Sequence, residues 1–171
     1  LRAAGGWKRV NEALDTPPLS TEQILHPEKY LKEVDAPREV LLPDFAPVLG
    51  PGWKRLYADT FGEWMISVSV RIMTADGVKG IRAGAGWDGD RAVIHVQEGA
   101  SCLFWGSVWD SEKDAEEFRE FLDSGLAARK PPAEPYLVTR SGERVFAAVG
   151  PVSPEVLAAA AKLFDKEATI K

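Results

Sequence analysis

Between residues 92 and 149 the chain twice drops helical spacing for alternation, and this constrains the fold more than any other feature. Ala92, Ile94 and Val96 alternate with Val93, His95 and Gln97; a Gly99-Ala100 turn follows; and Leu103, Trp105, Ser107 and Trp109 continue as a partner strand. Successive side chains of a strand point to opposite faces, so a two-residue period read twice in a row predicts an antiparallel hairpin. Asp110 or Ser111 then caps a helix whose Ala115, Phe118, Phe121 and Leu122 share one face, with Gly125 as its stop. After Pro131, Pro132 and Pro135, residues 136–140 and 143–149 form a second hairpin across Ser141-Gly142. Ser153-Pro154-Glu155 opens a last helix with Val156, Leu157, Ala160, Ala161 and Phe164 as its apolar stripe. Two strand-strand-helix units predict an α+β fold: a four-stranded antiparallel sheet with helices on one face.

Upstream the pattern is helical and broken by proline. Trp7, Val10 and Leu14 fall at helical spacing, and the chain begins at Leu1 rather than Met, so residues 1–34 read as the helical end of a preceding domain. Ser20 and Gln23 have capping-box spacing, with Thr21 as an alternative cap; His26 must leave the helix because Pro27 follows it. Residues 35–52 hold Pro37, Pro43, Pro47 and Pro51 with little periodicity and read as a Pro-rich linker. The main α+β domain is placed at 53–171. Trp53, Arg55 and Tyr57 alternate as a short strand would, and Thr60 to Glu63 has capping-box spacing; in the segment that follows, Ile66, Val68, Val70 and Ile72 alternate like a strand while Phe61, Trp64, Met65, Val68 and Ile72 fit a helix, and the cap favours the helix. A second helical stretch over 78–85 rests on Val78, Ile81 and Ala85.

Composition excludes several classes of function. The chain has 171 residues with 21 Lys and Arg against 26 Asp and Glu, and a net charge of −5 argues against nucleic acid as a partner. No apolar run approaches the ~20 residues of a membrane span. One Cys forbids an internal disulfide, and two His forbid a three-His zinc site. Residues 110–123 hold seven acids and two bases, so one helix carries a charge equal to that of the whole chain.

The chemical motifs are weak. Residues 84–89 match G-x-G-x-x-G, but a strand pattern follows where a dinucleotide loop needs a helix, so the segment reads as a turn and no cofactor is expected. Asp88-Gly89-Asp90 lacks the later donors of a calcium loop and also reads as a turn. Cys102 sits among apolar strand residues as an inert thiol, and His95 reads as a half-exposed sheet residue. His26, Glu28 and Tyr30 place an imidazole, a carboxylate and a phenol within five residues; they are the candidate functional group, against the simpler reading that His26 caps a turn and Tyr30 packs on the linker. Trp87, Trp105 and Trp109 are either core filler or an exposed binding surface.

The stretch STEQILHPEKY (20–30), with GGWKRVNEAL before it and DTFGEW, GAGWDGDR and WDSEKDAEEF after it, resembles the C-terminal region of a little-characterised bacterial group of secreted or lipid-anchored zinc-metallopeptidase-like proteins. The likeness spans most of residues 6–122. It implies that the zinc-binding helix of the parent lies upstream, so no catalytic residue and no metal ligand carries over to this chain. The chain then reads as a non-catalytic accessory domain whose partner is its own upstream domain or another protein, in the cell envelope or outside the cell. Two alternatives stand beside it: a stand-alone binding module using the Trp face or the acidic helix, and an enzyme with an unrecognised carboxylate and histidine site.

Overall fold

The structure, a computed structural model, describes residues 2–32, 34–130 and 133–171. They divide into two compact units, the first ending at Pro37 and the second spanning Arg38–Lys171.

The first unit holds helix α1 (Arg2–Asp15), interrupted at Gly5 and Gly6, and the single turns α2 (Thr21–Leu25) and α3 (Glu28–Leu31). Ser20 caps α2 as its spacing predicts, accepting from the Gln23 amide at 3.2 Å. The Gln23 side chain answers by accepting from the Leu19 amide at 2.7 Å and donating to the Asp35 carbonyl at 2.6 Å. Helix α2 stops at His26 and α3 opens after Pro27. The Trp7 and Leu14 stripe of α1 lies exposed, with Val10 half-buried.

The second unit is α+β. In chain order it contains β1 (Val40–Leu41), α4 (Ala46–Leu49), β2 (Lys54–Asp59), α5 (Gly62–Thr74), α6 (Gly77–Gly84), β3 (Trp87–Gln97), β4 (Ala100–Trp109), α7 (Glu112–Ala127), β5 (Tyr136–Ser141), β6 (Arg144–Val149), α8 (Pro154–Glu167) and β7 (Thr169–Ile170). The two strand-strand-helix units are present, β3-β4-α7 and β5-β6-α8, but their sheet has five antiparallel strands, in the order β2-β3-β4-β6-β5. The extra strand is β2, an edge strand that pairs from Lys54 with Val96 to Asp59 with Ala92 around a bulge between Arg55 and Tyr57.

Helices cover both faces of the sheet rather than one. Trp105, Val145 and Ala147 point to a core completed by Ile66 of α5 and Ala115, Phe118 and Leu122 of α7. Phe104, Phe146 and Ala148 point the other way, toward Leu157, Ala160 and Phe164 of α8. The central strands β4 and β6 are buried over most of their length and therefore apolar at successive positions, the signature of a sheet covered twice.

Residues 38–52, expected as linker, belong to this second unit. Val40 pairs with Ile170, and Phe45 is fully buried with its ring stacked on Phe104 at 4.3 Å. Single apolar anchors spaced among prolines have no period, so they leave no pattern in the sequence. Three turn assignments shift as well. The first hairpin turns at Glu98-Gly99, both at positive φ, as a two-residue loop requires. Asp88-Gly89-Asp90 is the bulged start of β3 rather than a turn. Helix α7 runs through Gly125 to Ala127, and a Cβ at Gly125 would lie 3.0 Å from the Met73 sulfur.

Helices α5 and α6 form where expected, but with the unexpected side inward. Gly80 and Gly84 press α6 onto α5: a Cβ at Gly80 would stand 2.5 Å from the Ser67 carbonyl, and one at Gly84 would overlap the Ser67 hydroxyl. The core side of α5 is Ile66 and Val70, not the predicted stripe. Its N-terminus is not capped by Thr60, whose hydroxyl donates to the Asp90 carbonyl at 3.2 Å. The Asp90 carboxylate of β3 does that work, accepting from the Phe61 and Gly62 amides, both at 2.9 Å. It also accepts from the Trp87 and Trp105 indole N–H groups at 2.9 and 3.0 Å. Burial pushes the Asp90 carboxyl up from its ordinary value, against the pull of these four donors.

Four donors facing one buried carboxylate leave no place for an amide N–H. Asp90→Asn is therefore expected to destabilise the second unit by about 3 kcal/mol. Urea denaturation followed by Trp fluorescence measures this; a loss well under 1 kcal/mol would show that these bonds do not hold α5.

Candidate functional site

The residues singled out by sequence do not converge. His26 Nδ1 lies 3.8 Å from Glu28 Oε1, with both side chains largely exposed. The Tyr30 hydroxyl turns away and donates to the Thr16 carbonyl. Tyr30 lines a cleft of 240 Å³ with Arg9, Glu12 and Gln23, whereas Glu28 lines a separate, open depression with Lys29 and Lys32. The other polar residues of the STEQILHPEKY stretch are engaged in structure. Lys29 Nζ bridges Glu22 at 2.6 Å and Asp35 at 2.9 Å, and Glu22 and Gln23 are both buried.

Trp87, Trp105 and Trp109 are buried and form no surface in this fold. Trp109 stacks on Phe118 at 4.5 Å, Trp105 meets the same ring edge-on at 5.2 Å, and the Trp109 indole donates to the Ser107 hydroxyl at 3.0 Å. Their rings share the sheet face that α7 covers, which is the physical reason they are hidden. The acidic helix is answered from within the chain. Arg140 and Arg119 each reach Glu116 at 2.7 Å and hold its carboxyl below the usual range, with the Arg119 contact the larger cause, and Arg82 reaches Glu117 at 3.1 Å.

His95 is fully buried rather than half-exposed, because residues 38–52 pack over its end of the sheet. Its Nε2 lies 3.2 Å from the Asp44 carboxylate, its Nδ1 has no hydrogen-bond partner, and its ring sits edge-on to Phe45 and Phe104. Cys102 stands directly opposite on β4, which assembles a carboxylate, an imidazole and a thiol on one sheet face. The three do not make a nucleophile. The thiol is no hydrogen-bond partner of either ring nitrogen, and burial, with Glu134 adding to it, pushes its pKa up to about 11. Among the described residues no group of three or more His, Cys, Asp or Glu is placed to hold a metal ion.

What the second unit does present is an apolar face made by two helices. Trp64, Met65 and Ile72 of α5 and Val78 and Ile81 of α6 are 40–75% exposed. Val68, one turn from both Trp64 and Ile72, is half-buried between them. The glycine packing of α6 on α5 turns Val78 and Ile81 outward, since they lie on the side of α6 opposite Gly80, Ala83 and Gly84. These are the residues whose spacing reads as helical in the sequence of α5 and α6. The signal that distinguishes the sides was present: α5 is apolar around most of its circumference, and the small residues of α6 recur at i, i+3 and i+4. Exposed apolar groups gathered on one face, rather than scattered, mark a contact surface. Among the described residues of these two helices the exposed charges are the basic Arg71, Lys79 and Arg82.

The fold and this face define an α+β domain, its sheet covered by helices on both faces, with an uncovered helical hairpin. Residues 52–160 match the family model described as a domain of unknown function, DUF8575, and the chain belongs to that family. The match begins at Gly52, just before β2, and covers α5, α6 and the whole five-stranded sheet; the STEQILHPEKY stretch lies outside it. No curated protein and no solved structure matches the chain. No helix among the described residues is long and apolar enough to cross a membrane.

Two measurements follow from the His95 corner. Cys102 is expected to resist an alkylating reagent in the folded chain and to react once denaturant is added; labelling at equal rates in both would refute its burial. The Asp44 carboxyl is held below its ordinary value, first by the Ala46 amide and then by His95, with burial opposing. A depressed folded pKa adds stability that is present above the unfolded value of about 4 and is lost as pH falls through the folded value. Asp44→Asn should therefore lose less stability than the parent chain on acidification from about pH 6 to about pH 3, compared by urea midpoints.

Proposed function

We propose that this chain is a non-catalytic interaction domain that docks through the outward face of α5 and α6. The observation that carries this reading is the set of five large apolar side chains, Trp64, Met65, Ile72, Val78 and Ile81, held in solvent on one rigid helical hairpin. Full burial of an exposed aliphatic side chain such as Ile72, Val78 or Ile81 is worth up to about 1.5–3 kcal/mol, most of which these three forgo in water. A partner surface recovers that energy without any change in the fold. The same residues are supported from below by Asp90 and by the glycine contacts of α6, so the face is preorganised. The likeness over residues 6–122 supports a setting for this role, as the accessory part of a zinc-metallopeptidase-like protein whose catalytic domain is the natural first partner.

Site-specific photo-crosslinking tests the reading. A benzophenone side chain at position 72 or 81, in source cells, is expected to yield protein adducts, while the same group at the exposed Lys162 of α8 yields none. Adducts equally abundant at position 162, or adducts with lipid alone, would overturn it. Recovery of a metallopeptidase-like polypeptide in the adduct would support the accessory setting, and its consistent absence would count against that setting.

A further inference from the structure

We infer that residues 42–52 form an acid-released strap, latched onto the sheet through His95. The segment packs over the His95 end of the sheet with the buried Phe45 as its anchor. The backbone bonds of α4 stay within the segment, from Val48 and Leu49 to the Phe45 carbonyl and from Gly50 to the Ala46 carbonyl. Among the described residues its side-chain ties to β3 are the Asp44 carboxylate with His95 Nε2 at 3.2 Å and the Pro51 carbonyl with the Gln97 amide at 3.0 Å. The ladder of β2 begins only at Lys54, so lifting the segment breaks no bond of the five-stranded sheet.

The latch turns on where a proton must go. Asp44 is held ionised by the Ala46 amide and so only accepts, which requires Nε2 of the neutral His95 ring to carry the proton it donates. Nδ1 is then the site that acid protonates, and it is buried with no hydrogen-bond partner among the described residues. The groups around it supply no acceptor. Cys102, opposite on β4, is a thiol that burial and Glu134 keep protonated and that bonds to neither ring nitrogen. Arg55, opposite on β2, carries the same sign as an imidazolium. Strand β6 and helix α8 turn apolar side chains to this core, Phe146 and Phe164 among them. The anion in contact with the ring, Asp44, has a side chain 64% exposed, so water screens its attraction. An N–H shut away from any acceptor outweighs a screened pair, so the closed strap binds the proton more weakly than the open one and acid favours release. An imidazole in water gains its proton at about pH 6.5, so acidification from about pH 7.5 to about pH 5 raises the open population by at most about thirtyfold.

Amide hydrogen exchange of the full chain, read by mass spectrometry at those two pH values and normalised to the intrinsic rate at each, tests the strap. Protection of residues 45–52 is expected to fall by about ten- to thirtyfold in acid while that of β4 and β6 is kept, and His95→Gln is expected to abolish the difference. Equal protection at both pH values, a matching loss in β4 and β6, or the same loss in His95→Gln overturns the inference. A second measurement keeps His95 in place, in case its variant does not fold. The chain has two His, so His26→Gln leaves a single imidazole in the NMR spectrum. That imidazole is expected to hold its neutral resonance position as long as residues 45–52 stay protected; a shift to the imidazolium position with that protection intact overturns the latch.

Discussion

A single buried carboxylate ties together the parts of this fold that are far apart in sequence. Asp90 sits 3% exposed at the start of β3, yet it receives the first free amides of α5, the Trp87 indole from its own strand and the Trp105 indole from β4. Charge-assisted hydrogen bonds of this kind are about twice as strong as neutral ones. They also fix direction: α5 leaves the sheet at an angle set by where the two oxygens point. Helix α6 follows from α5 through its glycines, so the surface that the domain presents to its surroundings is aimed from inside the sheet.

This dependence explains which parts of the structure can be read from sequence. Elements whose signals are local come through. Ser20, Ser111 and Ser153 each stand at the N-cap of a helix, and the two hairpins lie where alternation places them. Thr60 fails as a cap because a stronger acceptor, Asp90, arrives from 30 residues further along the chain, and no local rule contains that contact. The fifth strand is legible as a strand from the alternation of Trp53, Arg55 and Tyr57, but its membership of the sheet is not: β2 is a mostly exposed edge strand, and its partner β3 lies some thirty residues on, beyond any local signal.

The candidate site illustrates a different limit. In α5 the apolar residues fit both strand alternation and a helical stripe, and a stripe, once helical, does not say whether the core or the solvent lies on its side. Gly80 and Gly84 decide it, because backbone-to-backbone approach is available only where no Cβ intervenes. The Trp residues invert the same lesson. Large aromatics on a strand invite reading as a platform, whereas here three of them fill the space between a sheet and α7 and direct their N–H groups to Asp90 and Ser107.

Near the opposite corner of the second unit, Glu39 and Lys171 exchange a pair of backbone hydrogen bonds at 3.1 Å, and Val40 runs antiparallel to Ile170. The unit is thereby closed like a clasp, with its first and last strands zipped to each other. Polypeptide joined to either strand departs from the same edge. A pull applied between those two points would load the two-residue ladder together with the bonds by which Arg38, just before it, holds Asp88 of β3 and the Trp109 carbonyl of β4, so the clasp and the sheet edge would share the force.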